Sequence, residues 1–69
     1  MKIETVIRKP SRKIVYLTDI HKTDSIGRIK DVAMRHAGET KSSVFDASAS
    51  VYFDEADSML LAVVTLYTD

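Results

Sequence analysis

Residues 59–67 read Met-Leu-Leu-Ala-Val-Val-Thr-Leu-Tyr, a stretch with no charge and no polar face. Taken as a strand, Leu60, Ala62, Val64 and Leu66 fall on one side, and Met59, Leu61, Val63, Thr65 and Tyr67 on the other. A half-buried strand alternates apolar with polar residues, so apolar residues on both sides place this strand inside a sheet rather than at its rim. The segment therefore demands a cover for one face. Its other face is either shielded by long polar neighbours or used to bind something.

The remaining elements follow from period and punctuation. Residues 2–8 and 13–20 alternate with period two and are rich in β-branched side chains, the pattern of strands. Lys9-Pro10-Ser11-Arg12 between them makes a turn, because Pro suits the second turn position and cannot donate to a ladder. Residues 24–37 carry Ile26, Ile29, Ala33 and Ala37 at helical spacing. Thr23, Asp24 and Ser25 offer N-caps, and Gly38 supplies a left-handed stop. Residues 44–53 place Phe45, Ala47, Ala49, Val51 and Phe53 on one apolar face, and Asp54-Glu55-Ala56-Asp57 turns the chain into the final strand.

The order strand, strand, helix, strand, strand predicts a single α+β domain over residues 1–69, with one helix packed on a four-stranded sheet. This ββαββ order resembles the β-grasp arrangement of ubiquitin-like and small immunoglobulin-binding domains. The resemblance covers nearly the whole chain in element order and rests on no sequence motif. It implies that the first and last strands pair in parallel at the centre of the sheet. The alternative is a helix on a three-stranded antiparallel meander with the N-terminal segment on an edge. The final Leu-Tyr-Thr-Asp lacks a Gly-Gly pair, so conjugation as a ubiquitin-like modifier is not expected.

At 69 residues without Cys, the fold has no disulfide or thiolate metal site to lean on and must rest on apolar packing, helped by a partner or a second copy. No apolar run approaches the ~20 residues of a bilayer span, and no apolar h-region follows the first charges, so a cytoplasmic protein without membrane contact is expected. Neutral overall, the chain is split in charge. The first 41 residues hold all ten Lys and Arg against five acids, and the last 28 hold five acids and no base. In a β-grasp sheet the basic and acidic turns lie at opposite ends, which makes the molecule a dipole suited to steering onto a charged protein.

Chemistry finds little to work with. No Gly-x-Ser-x-Gly elbow, phosphate-binding Gly loop or His-Glu-x-x-His pair is present, so no catalytic role and no cofactor is expected. His36, Arg35 and Tyr52 are the residues from which a metal-independent ribonuclease would be assembled, though their spacing does not demand it. Asp54, Glu55 and Asp57 lack the Gly pivot and bidentate Glu of an EF-hand loop. Asp19, His21 and Asp24 are turn and cap groups that could at most form a weak divalent site, so no metal is expected.

The expected function is a non-enzymatic protein-binding module: an inhibitor, adaptor or regulator of a larger protein, a class with many small phage-encoded members. Val15, Leu17, Tyr52, Leu61, Val63 and Tyr67 are expected on an uncovered apolar sheet face, a patch too large for an idle monomer surface. Leu17, Tyr52, Leu61, Val63 and Tyr67 are the chosen contacts, to another protein or a second copy. Arg8, Lys9, Arg12 and Lys13 form their electrostatic rim. The second choice is a nucleic-acid-binding regulator using the same four bases as phosphate contacts.

Overall fold

The computed structural model describes residues 1–68. Strand β1 spans Lys2–Lys9, β2 Arg12–Ile20, helix α1 Ile26–Ala37, β3 Val44–Asp54 and β4 Met59–Thr68. The ββαββ order and the single helix on a four-stranded sheet are those read from the sequence. The strand order is β1-β2-β4-β3, antiparallel throughout. The central pair is thus β2 with β4, not the first and last strands in parallel, and β1 lies on an edge. The burial of side chains accounts for this exchange. Val15 and Leu17 of β2 are fully buried, whereas β1 offers only partly buried Ile3 and Val6 among charged residues. The strand with more apolar surface to hide takes the centre.

The core is one layer between α1 and the sheet. Ile29, Ala33 and Ala37 of the helix meet Val15, Leu17, Ile20, Ala62, Val64 and Leu66. The small alanines let the helix sit close to the strands, and each larger buried aliphatic contributes on the order of 1.5–3 kcal/mol of transfer free energy. Ser25 caps the helix start, its hydroxyl accepting from the Arg28 amide at 3.1 Å. Gly38 ends it with φ +75°, a conformation that costs glycine nothing, and the Gly38 and Glu39 amides donate to the carbonyls of Arg35 and Met34.

Two irregularities set which side chains go where. Asp19 has φ +56°, and the β2–β4 register shifts between Leu17 and Ile20. This extra residue turns Ile20 inward, so it joins the core although its alternation phase is that of Tyr16. A second shift between Val44 and Asp46 takes Phe45 out of the apolar face expected for it, leaving it 69% exposed. Val51 and Phe53 also stay exposed, at 40% and 61%. Helix α1 has 12 residues and is about 18 Å long, while the 11 residues of β3 extend about 37 Å, so the helix cannot cover the whole strand.

Candidate functional site

Cross-strand pairing defines the face turned away from the helix. Tyr16 lies opposite Val63, Ile14 opposite Thr65 and Arg12 opposite Tyr67, while Tyr52 pairs with Leu61 across β3 and β4. Thr5 and Ile7 continue this surface onto β1 through their partners Tyr16 and Ile14. Leu61, Val63 and Tyr67 are half-buried by their neighbours, and Tyr16 and Tyr52 are exposed. The bulged Phe45 reaches the same region, with its ring centroid 6.3 Å from that of Tyr67 at an interplanar angle of 43°. The result is a surface of tyrosines and aliphatics crossing all four strands, interrupted by Ser48, Ser50 and Thr65 between Tyr52 and Tyr67, with no layer over it among the described residues.

Four of the five expected contacts, Tyr52, Leu61, Val63 and Tyr67, stand together on this face. Leu17 does not. It is 1% exposed and packs under the helix, as does Val15 at 0%. The correction is one residue of phase, since Tyr16 occupies the open face. Both phases of β2 are apolar, but only one carries a phenol hydroxyl. Burying Tyr16 under the helix would cost its hydroxyl a hydrogen bond, whereas Val15 and Leu17 lose nothing there. That polar atom was the signal available in the sequence.

The four bases of the first hairpin separate by face. Arg8 and Lys13 pair across β1 and β2 on the helix side. There Arg8 Nη1 donates to the Ala37 carbonyl at 2.9 Å, and Lys13 Nζ donates to the same oxygen at 3.1 Å. Lys13 also forms an ion pair with Glu39. The two cations meet the negative end of the helix dipole and satisfy a terminal carbonyl. The Lys13 partnership, helped by the Ser43 hydroxyl donating to Glu39 Oε2 at 2.6 Å, lowers the Glu39 pKa from the ordinary glutamate value. Arg8 and Lys13 are therefore engaged within the fold. Lys9 and Arg12 pair with each other on the open face, next to Tyr67.

The acidic Asp54–Asp57 turn joins β3 to β4 at the far end of the sheet from the Lys9–Arg12 turn. The basic and acidic turns thus lie at opposite ends as expected, although antiparallel β2–β4 pairing puts them there. The Asp54 carboxylate accepts from the Ala56 amide at 3.0 Å and shapes the turn. Asp24 is similarly occupied, accepting from the His21 amide at 3.0 Å and lying 3.7 Å from Arg28. Among the described residues no group of three His, Cys, Asp or Glu side chains converges as a metal site. His36 and Arg35 lie in the last turn of the helix, whereas Tyr52 is on the opposite side of the sheet, so those three do not meet. A shallow cleft of about 320 Å³ opens between the helix and the start of β3. It is lined by Lys30, Met34, Lys41, Val44, Phe45, Asp46 and Ala47. No helix among the described residues is long and apolar enough to cross a membrane. Comparison with known proteins finds no matching family model, no matching curated protein and no matching solved structure.

Proposed function

We propose that this chain is a non-enzymatic, cytoplasmic protein-binding module, an inhibitor, adaptor or regulator that docks a larger protein through the open face of its sheet. The observation that carries this reading is the band formed by Tyr16, Tyr52, Leu61, Val63 and Tyr67, together with exposed Phe45. Tyrosine at a rigid sheet surface supplies large contact area at low entropic cost, and such residues dominate protein interfaces. Lys9 and Arg12 at one end and the acidic turn at the other orient the encounter.

The second reading, a nucleic-acid-binding regulator, draws on the adjacency of Lys9, Arg12, Tyr16 and Tyr67, where phosphate contacts and base stacking would combine. It is weakened by the engagement of Arg8 and Lys13 at the helix end. Salt and mutation separate the two. For a protein contact, a bound protein is retained at high salt and by a Lys9→Ala/Arg12→Ala variant, and is lost with Leu61→Lys, which stays folded. Binding to a labelled single-stranded RNA that falls steeply with salt, is lost in Lys9→Ala/Arg12→Ala and survives Leu61→Lys would replace the first reading with the second.

A further inference from the structure

The two edges of the sheet are built differently. Edge β1 carries Lys2, Glu4, Arg8 and Lys9 in eight residues, and its register breaks between Ile3 and Thr5. Charges and bulges of this kind stop an edge from accepting another strand. Edge β3 has its own register shift between Val44 and Asp46 and acids at Asp46 and Asp54, but between them Ala47 to Phe53 is an unprotected run of seven consecutive residues without charge or Pro. Four of the seven exposed large hydrophobics among the described residues, Phe45, Val51, Tyr52 and Phe53, lie on this one strand.

We infer that two copies of this chain pair through their β3 edges, antiparallel about Ala49, to form a continuous eight-stranded sheet. Three features of β3 favour a second copy as the occupant. The middle of the strand is graded in size, with Ala47, Ser48 and Ala49 on one side of Ser50 and Val51, Tyr52 and Phe53 on the other. Antiparallel self-pairing about Ala49 sets Val51 against Ala47 of the second copy, Tyr52 against Asp46 and Phe53 against Phe45, so that the aliphatic meets a small residue and the two phenylalanines stack at each end. The same register brings Phe53, on the helix side and 61% exposed, to the cleft that Met34, Val44 and Ala47 line beside α1. Charge completes the match. The Asp54–Asp57 turn of each copy comes alongside Lys41, with Lys30 near it on the cleft wall. The two copies thereby lie side by side and antiparallel, with acid beside base at both ends of the junction.

A two-fold axis perpendicular to the sheet keeps both helices on one side and joins the two open faces on the other. The contact is centred on an edge; it shares Phe45 and Tyr52 with the open face, and Phe53 and Leu61, which each belong to one surface only, tell the two apart. Light scattering on a sizing column is expected to give about twice the 7.7 kDa chain mass for the wild type and the single-chain mass for Phe53→Lys, with unchanged circular dichroism. Lys41→Glu and Asp57→Lys each break the dimer when alone, and an equimolar mixture restores it, because both junctions then pair opposite charges. Leu61→Lys remains dimeric. A monomeric wild type at high micromolar concentration would overturn the inference and leave the open-face reading intact. A dimer that survives Phe53→Lys but is lost in Leu61→Lys would overturn it by placing the contact on the open face.

Discussion

Leu17 and Leu61 test the division of this sheet into a covered and an open face. Both are leucines on the two central strands, and their side chains point to opposite sides. Leu17 is 1% exposed and surrounded by the core, so Leu17→Ala removes three buried carbons and leaves a cavity, a change that costs about 2–5 kcal/mol. A domain of this size holds only about 3–5 kcal/mol in total. A loss of ~3 from ~4 kcal/mol would take the folded-to-unfolded ratio from about a thousand to about five. Leu61 is half-exposed and already partly hydrated, so Leu61→Ala costs about 1 kcal/mol or less. With a urea slope of about 1 kcal/mol per molar, the midpoint falls by about 3 M for Leu17→Ala and by less than about 1 M for Leu61→Ala. Urea titration followed by far-UV circular dichroism reads both. Equal shifts, or a larger one at Leu61, would refute the assignment of faces and return Leu17 to the binding surface.

Acid titration checks the helix end. The folded state holds Glu39 ionised below the ordinary glutamate pKa, first through Lys13 and then through Ser43, so it binds fewer protons there than the unfolded chain. That stability is full above the unfolded value, near pH 4, and is lost as pH falls through the lowered folded value. Glu39→Gln is therefore expected to melt earlier than the wild type at pH 7 and to converge on it in acid, with the difference reduced, though not abolished, in a Lys13→Met background because the Ser43 hydrogen bond remains. At Asp19, Asp19→Val should cost about 1–2 kcal/mol because a β-branched residue resists φ +56°, whereas Asp19→Gly should keep or raise the melting temperature. Equal melting temperatures for the two variants would mean that the backbone there does not need the left-handed conformation.

The elements were legible because each had a local cause. Ser25 and Gly38 bound the helix, Pro10 marks the first turn, and β-branched alternation marks the strands. The two-sided apolarity of residues 59–67 pointed to the central place that β4 occupies. Strand order was less legible, since it depends on which of β1 and β2 gains more by burial, a comparison between distant parts of the chain. The β2 phase was ambiguous because Ile14, Tyr16 and Ile20 match Val15 and Leu17 in apolarity, and the left-handed Asp19 then moves Ile20 across. At the first hairpin, four bases in six residues read as one patch. A strand sends successive side chains to opposite faces, so the patch was two pairs, one of them drawn to a helix end 24 and 29 residues away. The open-face residues of β4 were found because their position depends only on alternation.

The place of β4 in the sheet also governs the order of events in folding. Three of the nine buried residues among those described, Ala62, Val64 and Leu66, lie on this strand. Until it arrives, β2 lacks its central neighbour and β3 has no strand to pair with. The first hairpin and the helix can form only fleetingly before β4 docks, because their shared core is unfinished. Folding thus waits on this one long-range pairing, and any intermediate in which β4 is not yet docked carries exposed apolar surface.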